Sequence, residues 1–240
     1  MKDVVITAIG SVSAAATDWA GLLAAGADGA SAFSPWPEEA GPPGPTALIG
    51  QIKAYDRKRY LSASDQRVAD KFAAIMTLAA GDALSAAGLL QGLSASGLGD
   101  QIATITGTSK PEFGGFYKFG QPVLSGQAGR TNPALFPYMA RNVACGQMCI
   151  TFGLRGYSSN MAAGPLSGLH AIARAYELLR TGRVAVALAG GGECLSKSSL
   201  RMNRILFKGH HRAAAPEFFG HQPALHVPAE GATMLVMETL

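Results

Sequence analysis

The chain has 240 residues, 48% of them hydrophobic and 15% charged, and a formal charge of +4. That is ample for a packed core and ordinary for a globular domain. The basic residues are scattered, without the stripe and interleaved aromatics of a nucleic-acid binder, and no apolar run reaches the length of a membrane span.

Three cysteines, Cys145, Cys149 and Cys194, have no framework spacing and point to a reducing compartment. The opening "MKDVVITAIGSVS" reads as a strand. Gly and Ser interrupt its apolar run too early for a signal peptide, so the cytoplasm is the expected location.

"DVVITAI" is a β-branched run that suits a buried strand, with Gly10 expected to end it. "TDWAGLLAAGADG" follows as a short helix, capped by Thr17 or Asp18 and closed by Gly26 or Gly29. Residues 34–46 form a Pro/Gly loop. Residues 62–88 give the clearest helix, with Val68, Phe72, Ile75, Met76 and Ala79 on one face and Gly88 as a stop. "QIATITGT" is a strand. "NPALFPYMARNVACGQMCITFGL" is a short helix running to a glycine turn. "GYSSNMA" is a strand and "LSGLHAIARAYELLRTG" a helix. "VAVALAGGGE" and "GATMLVMETL" are the last strands. Strands alternating with helices imply a layered α/β fold with a largely parallel sheet.

The stretch "SSNMAAGPLSGLHAIARAYELL" reads as strand, tight turn and helix. An α/β enzyme of this kind puts its nucleophile on that turn, and here the position is Pro165, which has no reactive side chain. Ser167 is the neighbouring hydroxyl, but "GPLSG" departs from the Gly-x-Ser-x-Gly elbow, and no base or acid partner is identifiable. A serine bonding to backbone in the first helical turn is the competing reading. His210, His211, His221 and His226 lie within seventeen residues. They lack the tight paired spacing of zinc sites, so no metal and no cofactor is expected. Cys145 and Cys149 are one helical turn apart and read as small apolar packing. "AGGGE" lacks the full spacing of a nucleotide loop and reads as a tight turn that lets backbones approach.

The order of these motifs resembles the N-terminal half of β-ketoacyl-acyl-carrier-protein synthases. "VVITAIGSVSAAATDWAGLLAAGADGAS" is similar to the family's opening strand and helix, and "GTSKPEFGG" to its Gly-Thr turn. "PYMARNVACGQMCITFGLRG" resembles the segment before the active site, with Asn142, Gly146, Gly153 and Gly156. "SGLHAI", "LAGGGE" and "AEGATMLVME" are similar to the elements around the nucleophile. The resemblance implies half of a thiolase-like fold, a mixed, mostly parallel sheet flanked by helices, with residues 1–240 as one domain.

It also implies a departure. The family's nucleophilic cysteine sits in Cys-x-Ser-Gly, and counting back from Ser167-Gly168 places it at Pro165. Proline suits the first helical position, where no N–H is needed, but it cannot be acylated. The family's two catalytic histidines and lysine belong to its C-terminal half. His170 matches the helix after the nucleophile and not a catalytic histidine.

In the family, the segments matching "PEFGGFYKFGQ" and "NPALFPYMARN" lie at the dimer interface and line the partner's acyl tunnel. The resemblance therefore implies partner or tunnel contacts for Phe113, Phe116, Phe119, Phe136 and Met139. It implies strand pairing across a two-fold axis for Tyr157, Ser159 and Met161 of "GYSSNM".

The reading that follows is a catalytically inactive, chain-length-factor-like subunit. It would form a heterodimer with an active ketosynthase in polyketide or fatty-acid-type synthesis, such as an aryl polyene pathway, and meet acyl carrier protein only indirectly. Two alternatives stay open: an independent acyl hydrolase or transferase using Ser167, and a homodimeric scaffold with no acyl-chain role.

Overall fold

The computed structural model describes residues 2–29, 31–37, 48–93, 97–109, 113–206 and 227–240. Strand β1 (Val4–Ser13) leads to helix α1 (Trp19–Ala27) and a small hairpin of β2 (Phe33–Pro35) and β3 (Leu48–Gly50). Then come α2 (Asp65–Val68), α3 (Lys71–Ala86) and β4 (Ile102–Gly107). Next are α4 (Phe113–Leu124), a 3-10 turn (Pro133–Met139), α5 (Val143–Phe152) and β5 (Ser158–Met161). The described chain closes with α6 (Ser167–Arg180), β6 (Val186–Glu193), α7 (Lys197–Leu206) and β7 (Gly231–Thr239).

Five strands form one sheet in the order β1-β7-β6-β4-β5. β4 pairs parallel with β5 and β6, while β7 pairs antiparallel with both β6 and β1. Four strands therefore run one way and β7 alone runs against them, the mixed, mostly parallel sheet expected. Alternation along the strands feeds two cores. Ile102, Val186, Leu188, Met234 and Val236 join α3 and α5 on one face. Ala103, Ile105, Ala187, Ala189 and Met237 join α6 on the other.

β1 does not end at Gly10. It continues to Ser13, because α3 packs directly on the strand backbone there. A Cβ on Gly10 would sit 2.0 Å from the Ala79 carbonyl oxygen. Glycine here is a contact residue, not a terminator.

The helix expected over 62–88 is broken in two. Ala69 is extended (φ −61°, ψ 127°), and Asp70 restarts the helix by accepting from the Ala73 N–H at 2.7 Å. Arg57 donates to the carbonyls of Gln66 and Ala69, which the break leaves open. Val68 therefore belongs to α2, apart from the Phe72–Ala79 face. Nor is α3 one-sided: 12 of its 16 residues are buried, so the helix is sandwiched rather than amphipathic. Its small residues allow this. At Gly81 an added Cβ would lie 2.5 Å from the Tyr60 ring.

Burial pushes the Asp70 carboxyl above its ordinary value, against the opposing pull of the Ala73 N–H and Arg57. The cap still holds the first turn of the central helix. Asp70→Ala is expected to lower stability by about 1–2 kcal/mol, read as a shift in the denaturation midpoint at unchanged slope.

Two helices escaped the sequence reading. α4 contains Pro122, and α7 contains "KSSLRMNRIL", whose polar run hides its period. Among the described residues no helix is long and apolar enough to cross a membrane.

Candidate functional site at the β5–α6 elbow

β5 ends at Met161, and the chain turns through Gly164 into α6. Gly164 has φ +61°, the left-handed region that favours glycine. Pro165 follows inside a single 3-10 turn (Gly164–Leu166) that runs into α6. Its fixed φ and missing N–H fit that position. Pro165 is exposed.

Ser167 locks the turn. Its hydroxyl donates to the Gly164 carbonyl at 2.6 Å and accepts from the Ala163 N–H at 2.9 Å. The residue is 2% exposed. The Ser167 proton is thus committed to backbone, as the structural reading of this residue expects. His170 lies on the exposed side of α6.

The glycines explain how α6 reaches the sheet. A Cβ at Gly107 would lie 2.3 Å from the Ser167 carbonyl oxygen, and one at Gly191 would lie 2.5 Å from the Gly107 carbonyl oxygen. "GGG" is therefore part of strand β6 and not a turn. The close backbone approach expected there is present.

A cavity of about 670 Å³ opens on this face, lined among others by Pro165, Leu169, Ile172, Glu193, Thr233 and Leu235. Glu193 accepts from the Thr108 hydroxyl at 3.2 Å and from the Ser109 N–H. Glu230 has a side chain with 0% exposure. It accepts from the Ile52 N–H at 2.8 Å, the Leu195 N–H at 3.1 Å and the Lys71 ammonium. One carboxylate thus ties together the segment after β3, the segment after β6 and the first turn of α3. Sequence reasoning assigned no role to Glu193, Glu230 or Lys71. The available signal was an acid set between apolar and glycine residues in "PAEGATML", since a charge in an apolar stretch needs buried partners.

The expected contact residues fall in two places. Phe113 opens α4, which packs on the 3-10 turn and touches α7. Phe119 meets Phe136 with ring centroids 6.0 Å apart, and Met139 is half-buried beside them. Phe116 and Phe136 are 60% and 65% exposed. Tyr157 lies just before β5, and Ser159 and Met161 alternate along it; among the described residues β5 is an edge strand paired with β4 alone. Met161 is half-buried against the α6 core, and the Arg174 guanidinium stacks 5.6 Å over the Tyr157 ring. That guanidinium holds the Tyr157 phenol below its ordinary value. The other edge, β1, carries a bulge between Ile6 and Ala8; such a bulge discourages pairing. The four clustered histidines lie outside the described residues. Among the described residues no three His, Cys, Asp or Glu side chains form a metal-sized group.

Sheet order, helix layers and elbow together define a thiolase-like α/β half-fold. The family model described as "Beta-ketoacyl synthase, N-terminal domain" matches residues 1–240. The chain belongs to the β-ketoacyl synthase family through that domain. It is 31% identical over 253 residues to the tetracenomycin polyketide synthase ketoacyl synthase beta subunit of Streptomyces glaucescens, covering 98% of this chain and 58% of that protein. A β-ketoacyl synthase from Burkholderia phymatum STM815 superposes with a TM-score of 0.86 at 24% identity, over 100% of this chain and 60% of that one. The ishigamide ketosynthase/chain length factor gives a TM-score of 0.78 at 21% identity, covering 98% of this chain and 62% of that one. The chain thus spans less than two thirds of the length of each of these relatives.

Proposed function

We propose that this chain is the non-catalytic, chain-length-factor-like member of a heterodimer with an active β-ketoacyl-acyl-carrier-protein synthase. The observation that carries the reading is Pro165 on the exposed elbow at the start of α6. Condensation in this family needs a thiolate held at a helix N-terminus, where the dipole favours it. Proline keeps the turn and removes the nucleophile. The printed name of the Streptomyces relative, a ketoacyl synthase beta subunit, and that of the ishigamide ketosynthase/chain length factor support this assignment.

In this reading β5 is the pairing edge. It is unblocked where β1 is bulged, and Tyr157, Ser159 and Met161 meet the partner there. Phe113, Phe116, Phe119, Phe136 and Met139 form a wall of the partner's acyl tunnel. A wall is the right device for setting length. One methylene more or less changes burial by only about 0.8 kcal/mol, whereas a steric stop rejects the longer chain outright. The product class is polyketide or fatty-acid-type, with aryl polyenes as the specific case. Acyl carrier protein delivers to the active partner and meets this subunit indirectly.

The test is co-expression with a candidate ketosynthase, native mass of the product, and analysis of chain length. A one-to-one complex is expected, with Phe116→Ala or Phe136→Ala lengthening the products by at least one extension unit. Unchanged products with the complex intact would remove the tunnel-wall role. A stable homodimer that ignores every ketosynthase would replace the heterodimer by a scaffold. Thioester hydrolysis by the isolated chain, lost in Ser167→Ala, would replace it by a hydrolase.

A further inference from the structure

α4 packs on the protein along one side. Its chief neighbours are the 3-10 turns Ala128–Arg130 and Pro133–Met139, and α7. Phe119 faces the second of these turns, against the Phe136 ring. At about 100° per residue, Tyr117 and Leu124 stand about 140–160° around the helix from Phe119. They are 57% and 89% exposed, and Val123, one line nearer the packed side, is 50% exposed. A single exposed leucine is ordinary, but apolar side chains lined up on one helix face mark a contact surface.

The charge around this line has one sign. No Asp or Glu occurs in residues 113–139 or 197–206, the stretches that carry α4 and these neighbours. Lys118, Arg130 and Arg201 are exposed. None of the three forms an ion pair among the described residues. Basic residues that are scattered along the chain are thus gathered by the fold around an apolar helix.

We propose that the outer line of α4 is a peripheral contact with an anionic lipid bilayer. Val123 and Leu124 enter the boundary between headgroups and acyl chains, about 5–10 Å deep. The Tyr117 ring follows them, while its hydroxyl stays at headgroup level. Lys118, Arg130 and Arg201 meet lipid phosphates. Two features favour lipid over an acidic protein. Basic charge without any acid matches a surface of uniform negative potential. A side chain as prominent as Leu124 suits a medium that closes around it, whereas a protein partner needs a pocket of matching shape. The Phe119–Phe136 side is left to the partner's tunnel, so the bilayer contact does not depend on the heterodimer.

The experiment sediments the full chain with vesicles of equal parts phosphatidylglycerol and phosphatidylcholine, and with vesicles of phosphatidylcholine alone. Binding to the mixed vesicles is expected to be at least about tenfold tighter, since each basic residue contributes roughly fivefold at an anionic surface. It should weaken as salt is raised from about 0.05 to 0.5 M. Leu124→Ser is expected to weaken binding about tenfold, and Arg201→Gln about fivefold. Ile150→Ser removes a 76% exposed side chain from α5 and is expected to leave binding unchanged. Circular dichroism checks that each variant folds. Equal affinity for the two vesicle types, or sedimentation with neither, overturns the proposal, and that comparison needs no variant. Equal losses in Leu124→Ser and Ile150→Ser would overturn it as well, by taking the contact away from α4.

Discussion

Glu230→Ala should destabilise the chain by about 3–5 kcal/mol, the usual cost of removing one partner from a buried ion pair. Glu230 is fully enclosed, and its two carboxylate oxygens serve Lys71 and the N–H groups of Ile52 and Leu195. Alanine leaves two backbone donors without an acceptor and strips the counter-charge from an ammonium that keeps only the Ile52 carbonyl, 2.8 Å away. Lys71 is 24% exposed, so it recovers part of its hydration by swinging outward, which favours the lower half of the range. The two backbone groups have no such escape. Against a total stability of about 5–15 kcal/mol for a domain, the loss is large and should appear as a clear fall in the urea midpoint. Glu230→Gln keeps one acceptor but turns amide hydrogens toward Lys71, and an intermediate loss is expected. A change below about 1 kcal/mol in Glu230→Ala would show that the three segments are held together by packing alone.

Pro165→Cys should create a reactive thiol. The new side chain would stand exposed in the turn that starts α6, where N–H groups without helical partners and the helix dipole favour a thiolate. Cysteines in such positions have pKa values of about 3.5–7.5. Alkylation by iodoacetamide at neutral pH, resolved by peptide mapping, is expected at least about tenfold faster at position 165 than at buried Cys194. The cost in stability is small, because Gly164 carries the unusual backbone angle and Ser167 still clamps the turn. An unreactive thiol at position 165 in a folded chain would mean that the elbow does not present this position to the helix N-terminus. The assignment of Pro165 to the nucleophile position would then fail with it.

Much of this architecture was legible from local pattern. β-branched runs and alternation located all five strands of the main sheet, and the 3.6-residue period located α3 and α6. The glycine stops at Gly88 and Gly153 also stand in the left-handed region, at φ +71° and +65°. The misses share a cause. Gly10 and Gly190–Gly192 read as punctuation, yet they lie inside strands where another backbone comes within van der Waals contact. Composition shows that a glycine permits close approach but not from which direction. The break at Ala69 escaped because Asp70 is an ordinary polar residue until its carboxylate finds the Ala73 N–H.

The sequence alone determined the family, the order of the five main-sheet strands along the chain, and the proline on the elbow, because these follow from local periodicity and motif spacing. Tertiary structure alone decided which groups share a site. Lys71 and Glu230 are 159 residues apart and meet only because the sheet order brings the entry to β7 beside α3. The Cys145 thiol of α5 lies 3.7 Å from the carbonyl of Thr104, 41 residues away in the chain, because the helix packs across β4. Ion pairs and hydrogen bonds act over a few ångströms of space, and distance in space between such groups is set by the folded sheet and not by their spacing in the chain.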